Sequence, residues 1–283
     1  MFIRNALLLF LSFLMLNKLT HAEEDLDQAP SNGSPDDVEI QTSELPSPRM
    51  VIVGPTGSGK SSLANALLGF DPEHEDSALF TVCPPSMNSC TKKISYGTGK
   101  WLGKGPMFTV VDTPGFADSD KQDGVLMKDM TDFLKNNLTE AVVLVLLLDG
   151  SETRFNSGLQ SMLQQYSTLF GNQWWDHLLV AVSFWEFDQF SIDNRVKRCP
   201  GTRCANETWF INEIQDQLAT KFHLNKTFEF AFLHSYSQSS DNIDDPIRQK
   251  YWKIESDKLW NFATSIDEPM AFKDVDDILQ VSL

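Results

Sequence analysis

The chain has 283 residues, with 23 Lys and Arg against 39 Asp and Glu, and a formal net charge of −16. An acidic surplus of that size argues against binding nucleic acid or docking on anionic lipid, where cations supply the attraction. The length suits one domain with a sizeable core plus flanking segments.

Met1 to Ala22 reads as a secretory signal: Arg4 gives a basic start, Ala6 to Leu16 an apolar run, and Thr20-His21-Ala22 a cleavage site. An apolar run of that length spans roughly 16 Å as a helix, short of the ~30 Å of a bilayer core. Cleavage is therefore expected, which places the chain in the secretory lumen or outside the cell. It would remove Arg4 and Lys18 and no acid. Residues 23–48 are acidic, rich in Pro, Ser and Asp, and poor in large apolar side chains, so a disordered spacer is expected there.

Met50 to Val53 is a short apolar run with the composition of a buried strand. Gly54-Pro55-Thr56-Gly57-Ser58-Gly59-Lys60-Ser61 follows and fits G-x-x-x-x-G-K-[ST] without a gap; Ser62 to Leu68 then reads as a helix. The motif thus sits in the strand–loop–helix context that its chemistry requires. Glycines let the backbone bend round a phosphate chain and aim N–H groups at it. The helix presents its positive end, with Ser62 in its first turn. Lys60 supplies a point charge for the β/γ phosphates, and Ser61 offers a hydroxyl to Mg²⁺.

Asp71 to Ser89 is polar and loop-like, and Cys90 to Tyr96 reads as an exposed strand. Met107 to Val111 reads as a buried strand running into Asp112-Thr113-Pro114-Gly115. An acid at the end of such a strand can hold the Mg²⁺ shell, and Gly115 leaves a backbone N–H for a γ-phosphate. Ala141 to Leu148 is a further buried strand, too short to span a membrane, so no span is expected after signal cleavage. Cys83 and Cys90 are close in sequence, as are Cys199 and Cys204; local disulfides are expected in an oxidising compartment, although three connectivities exist. Asn32, Asn137, Asn206 and Asn225 each open an N-x-[ST] sequon and are glycan candidates.

Gly54 to Ser61, Thr91 and Asp112 to Phe116 resemble the first three signature boxes of a translation-factor-class GTPase. The order that follows narrows the match: Arg154-Phe155, a helix through Leu159, Met162 and Leu163 to Gly171, then Trp175 to Val182. It is similar to the immune-associated nucleotide-binding family (GIMAP/IAN, with an AIG-type G domain), related to septins and plastid import GTPases. The resemblance spans about Arg49 to Ser235. It implies GTP or GDP with Mg²⁺, and a homodimer through the nucleotide face. It assigns Thr91 to the switch threonine that completes a metal set of Ser61, Thr91 and Asp112. It assigns Glu186 to the guanine-recognition box, here Ser183-Phe184-Trp185-Glu186 with Asp188 beyond; Phe184 replaces the basic residue usual there. The position after Gly115 is Phe116, which cannot orient water, so slow intrinsic hydrolysis is implied. Arg154 is then the candidate to supply charge across a dimer, with Lys60 and Thr91 completing the catalytic set.

Past Ser183, Trp209 to Phe222 has helical periodicity, Phe228 to His234 alternates as a last strand, and Pro246 is placed to open a helix reaching about Phe262. The expectation is a three-layer α/β P-loop G domain over residues 49–272, with a mostly parallel central sheet, helices on both faces and an acidic tail from 273 to 283. Its expected function is slow GTP hydrolysis. Two rivals stay open: a degenerate module acting through protein contacts, and an ATPase.

Overall fold

The computed structural model describes residues 45–70, 78–82, 91, 93–115, 128–130, 132–134, 136, 142–150, 156–198, 206–234, 246–268 and 270. The signal, the spacer as far as 44, all four cysteines, Asn32, Asn137, Phe116, Arg154 and the tail lie outside them.

Among the described residues six strands form one sheet: β1 (Arg49–Val53), β2 (Ser95–Lys100), β3 (Met107–Asp112), β4 (Val142–Asp149), β5 (Leu178–Ser183) and β6 (Glu229–Phe232). Their order is β2-β3-β1-β4-β5-β6, and every neighbouring pair is parallel except β2 with β3. The helices are α1 (Lys60–Leu67), α2 (Ser157–Phe170), α3 (Gln189–Arg198), α4 (Glu207–Phe222) and α5 (Pro246–Ser265). Residues 128–130 and 132–134 are also helical. No helix among the described residues is long and apolar enough to cross a membrane.

The period-two alternation of β1 sorts the layers. Met50 and Ile52 join a core with Leu63 and Leu67 of α1 and Leu259 and Ala263 of α5. Val51 and Val53 face the other way, into a core with Leu159 and Leu163 of α2 and Phe210 and Leu218 of α4. Two helical layers on a mostly parallel sheet are the expected architecture. Trp174 and Trp175 are buried in the second core, and Trp252 and Trp260 pack against the first.

Local chemistry sets the helix ends. Asn156 caps α2 by accepting from the Leu159 N–H at 2.8 Å, and Gly171, at φ 73°, ends it. Asn206 caps α4 through the Trp209 N–H at 2.8 Å and, like Asn225, is exposed. α5 opens on Pro246, whose missing N–H is no loss at a first turn.

Two elements differ from the sequence reading. The exposed strand starts at Ser95 rather than Cys90, leaving Thr91 in irregular chain. Two of its glycines make room for neighbouring side chains: a Cβ on Gly97 would lie 2.0 Å from Leu79 Cδ2, and one on Gly99 would lie 2.8 Å from Leu68 Cδ2. These apolar side chains lie on the strand where it lacks side chains of its own. Helix α3, of sequence QFSIDNRVKR, is a helix that the sequence reading does not include.

The segment between α1 and Thr91 is pinned at Phe80. The Asn65 amide accepts from the Phe80 N–H at 2.9 Å and donates to its carbonyl at 2.8 Å, while the Phe80 ring is buried in the α1 core. The direction of chain progression reverses at β1, which has β3 on one side and β4 on the other. Ligands in such sheets bind in the crevice beyond the carboxyl ends at that switch point. The loop after β1 opens there.

Candidate nucleotide site

The loop from Gly54 to Gly59 turns on residues with left-handed backbone, Gly57 at φ 84° and Gly59 at φ 87°. At Gly54 the limit is space as well: a Cβ would lie 2.3 Å from the Leu147 carbonyl oxygen of β4. The loop delivers Lys60 to the first position of α1, and its ammonium donates to the Pro55 carbonyl at 2.7 Å. Lys60 is buried, and burial lowers its ammonium to about 8, the nearby Asp112 charge opposing the fall.

Ser61 is where three separated segments meet. Its hydroxyl donates to Asp112 Oδ2 at 2.6 Å, and its Oγ lies 3.2 Å from Thr91 Oγ1. Thus all three residues read as a metal set are brought together. Burial pushes the Asp112 carboxyl above its ordinary value, against the Ser61 hydrogen bond, the Lys60 charge and the Thr113 backbone. Asp112 Oδ1 and Ser58 Oγ are buried without a hydrogen-bond partner. Buried polar atoms of this kind call for a ligand or ion. Two hydroxyls and one carboxylate are hard oxygen ligands that suit Mg²⁺, which keeps further positions for water and phosphate.

The segment after Asp112 is fixed against the loop. Thr113 Oγ1 donates to the Ile52 carbonyl at 2.8 Å, tying the end of β3 to β1. Gly115 then passes so close to Thr56 that a Cβ would lie 2.4 Å from its Oγ1 and 2.7 Å from its N. Only glycine fits there, and the Gly115 backbone borders the phosphate loop. Arg154 lies outside the described residues, so its position relative to this site is not described.

The other end of the crevice holds the expected base-recognition residue. β5 and β6 stay paired past their ends: the Leu233 N–H donates to the Val182 carbonyl at 2.7 Å, and the Trp185 N–H to the Leu233 carbonyl at 3.5 Å. Glu186 and His234 therefore emerge side by side. His234 Nδ1 lies 2.7 Å from Glu186 Oε1, and Arg248, in the first turn of α5, places Nη2 3.3 Å from Glu186 Oε2. Arg195 of α3 lies over the Trp185 ring, 4.3 Å from its centroid, and donates to the Glu186 carbonyl at 2.7 Å. Phe184, in the position usual for a basic residue, is exposed and has φ 54°. Asp188, the alternative acceptor, caps α3: its Oδ1 takes the Ser191 N–H at 3.0 Å. Burial favours its neutral form, but the Ser191 hydrogen bonds and the Arg248 charge outweigh that and leave its carboxyl below the ordinary value.

Sequence reasoning missed His234, Arg248 and Arg195. No local motif marks them, since they reach Glu186 only through the β5–β6 pairing and the packing of α3 and α5. The aspartate before α3 is a legible cap signal.

The chain is 29% identical to GTPase Der of Thermodesulfovibrio yellowstonii over 119 residues, 42% of this chain and 25% of that one. It is 29% identical to immune-associated nucleotide-binding protein 4 of Arabidopsis thaliana over 250 residues, 79% of this chain and 72% of that one. Among solved structures, Toc33 from Arabidopsis thaliana in complex with GDP and Mg²⁺ superposes with a TM-score of 0.59 at 16% identity, covering 80% of this chain and 87% of Toc33. That likeness shows the G-domain fold. The sequence model of the AIG1 family matches residues 48–194, just over half of the chain, from the strand before the phosphate loop to α3, and the chain belongs to that family.

Proposed function

We propose that this protein binds Mg²⁺–GTP at the carboxyl edge of its sheet and hydrolyses it slowly. The observation that carries the reading is the meeting of Ser61, Thr91 and Asp112 beneath the phosphate loop, with Asp112 Oδ1 buried and unpartnered. Residues 30 and 51 positions from Ser61 converge on one hydroxyl, an arrangement a chance glycine-rich turn would not produce. In this reading Lys60 and the N–H groups of the loop from Gly54 to Ser62, Pro55 excepted, hold the phosphates, and Gly115 offers its N–H to the γ-phosphate. Ser61, Thr91 and Asp112 would hold the metal, and Glu186 would accept from guanine. Bound Mg²⁺ supplies charge neutralisation across the β- and γ-phosphates. Guanine is supported by the solved complexes of Toc33, one with GDP and Mg²⁺ and one with Mg²⁺ and GMPPNP. Calorimetry of the purified chain with Mg²⁺–GTP is expected to give saturable heat that disappears with EDTA. No heat with GTP or ATP at high concentration would refute the reading.

Slow turnover follows from Phe116, whose side chain cannot orient water. Dimerisation is important for the GTPase activity of atToc33 and psToc159. We extend that to a nucleotide-linked homodimer here, with Arg154 supplying charge in trans. Turnover per molecule should then rise with protein concentration, and Arg154→Ala should remove the rise while keeping GTP affinity. Export is supported by the Met1 to Ala22 pattern, and would be contradicted by an intact Met1 on cytosolic protein.

A further inference from the structure

We propose that His234 and Arg248 are specificity-determining positioning residues: with Glu186 they form a closed three-residue ring that sets the carboxylate to select a purine bearing N1–H and a 2-amino group. The inference rests on the nucleotide-binding reading above and extends it to His234 and Arg248.

The ring is closed by its third side. Arg248 Nη1 lies 3.1 Å from His234 Nε2. A guanidinium has donors and no acceptor, so Nε2 must present its lone pair. The ring proton of a neutral His234 therefore sits on Nδ1, the nitrogen 2.7 Å from Glu186 Oε1. Each oxygen of Glu186 thus faces one cationic or N–H group, from the end of β6 and from the start of α5.

Such an arrangement fixes orientation rather than consuming acceptor capacity. A carboxylate offers about four lone-pair sites, and Glu186 Oε2, 3.3 Å from Arg248 Nη2, has no hydrogen-bond partner, so acceptor capacity remains. Glu186 is about a quarter exposed, whereas His234 is buried at 4%, and Glu186 Oε2 is itself a buried atom. The support continues into the backbone. Arg195 donates to the Glu186 carbonyl, and Phe187 stacks on Tyr251 of α5 with centroids 3.9 Å apart and planes 4° from parallel. Tyr251 is one turn after Arg248, so this stack registers the Glu186 loop against the helix that carries the arginine. Guanine can donate twice to such a carboxylate through N1–H and the 2-amino group. Adenine offers no donor pair on that edge, and hypoxanthine keeps only N1–H.

Binding of GTP, ITP and ATP, each with Mg²⁺, is measured on the full chain and its variants. Arg248→Met and His234→Phe are expected to lower GTP affinity roughly tenfold to a hundredfold while leaving ATP affinity unchanged, collapsing the GTP-to-ATP ratio. His234→Gln, whose amide can donate to Glu186 and accept from Arg248, should keep most of the ratio. In a Glu186→Gln background, Arg248→Met should add no further loss of the ratio. Folded variants with wild-type ratios overturn the proposal and leave the nucleotide reading standing. Should Arg248→Met or His234→Phe fail to fold, Arg248→Lys and His234→Gln carry the test. Unchanged ratios in the lysine variant, or a glutamine variant with the ratio lost, overturn the proposal. Wild-type protein that binds neither GTP nor ATP overturns the underlying reading instead.

Discussion

At the phosphate end of the crevice, Gly54 to Ser62 are consecutive residues, and so are Asp112 to Gly115. At the base end, Glu186, His234 and Arg248 come from the ends of two strands and the start of the last helix. The chemistry differs in the same way. The phosphate end buries Lys60 and Asp112 and leaves Asp112 Oδ1 and Ser58 Oγ unpartnered. At the base end Glu186 is already paired with His234 and Arg248. Both ends keep buried polar atoms without hydrogen-bond partners, Glu186 Oε2 among them, but at the base end the carboxylate is already held by opposite charges. Hence changes at the first should alter affinity for every nucleotide, and changes at the second should alter the choice among nucleotides.

The largest expected effect tests the first half of that contrast. Lys60→Ala should lower GTP and ATP affinity together by at least about a hundredfold, since it removes a buried charge that pairs with phosphate. The domain should stay folded, because the ammonium is a burdensome group to bury. A variant that lost GTP but kept ATP would place Lys60 outside the phosphate site and break the comparison.

Asp112→Asn comes next. The amide keeps the size and the contact to Ser61 but loses the charge that a divalent cation requires. GTP titrations at stepped Mg²⁺ should show the metal-dependent gain in affinity reduced roughly tenfold or more. A preserved Mg²⁺ dependence would remove Asp112 from the metal set. A smaller and more selective effect is expected at Gly115. In Gly115→Ala the new Cβ meets the Thr56 backbone at 2.5 to 2.7 Å, so one segment must move. Overpacking of this kind costs about 1–3 kcal/mol. Thermal melts should show that loss, and GTP affinity should fall several-fold with GDP affinity kept. Equal losses for both nucleotides would mean that Gly115 serves the loop and not the γ-phosphate.

The same contrast explains what the sequence made legible. The phosphate loop can be read because its function is contiguous: strand, glycines, lysine and helix follow one another in a single stretch. Asp112 is legible for a similar reason, as the end of a buried strand. Thr91 has no such context, and it is placed only by family resemblance until its hydroxyl is found beside Ser61. Glu186 could be assigned by position in a box, but its partners could not. Their meeting depends on strand pairing that runs past Ser183 and on where the first turn of α5 lies, and neither is a property of any local stretch. The strand at Ser95 was misplaced because its glycines weaken strand propensity, while the side chains of Leu68 and Leu79 occupy the space above them.

A further effect is one of pH, and it belongs to the phosphate end alone. Burial lowers Lys60 to about 8, below the 10.5 of a solvated lysine. Below pH 8 both the folded and the unfolded chain carry the ammonium, so the burial penalty is present in full. Between pH 8 and 10.5 the unfolded chain holds more protons than the folded one, and stability must rise with pH across that window. The full relief is on the order of 3 kcal/mol, the Asp112 attraction being already contained in the value of about 8. Nucleotide reverses the preference, because phosphate oxygens favour the charged ammonium. Binding should therefore take up close to one proton at about pH 9 and little at pH 7, and GTP affinity should fall about tenfold between them. Calorimetry in two buffers of different ionisation enthalpy reads the uptake directly. In Lys60→Met the uptake should vanish, and the rise in stability above pH 8 should vanish with it. ATP should show the same uptake as GTP, since the proton belongs to the phosphate end. An uptake that differed between the two nucleotides would mean that the base end titrates as well, and the two ends would no longer be separable.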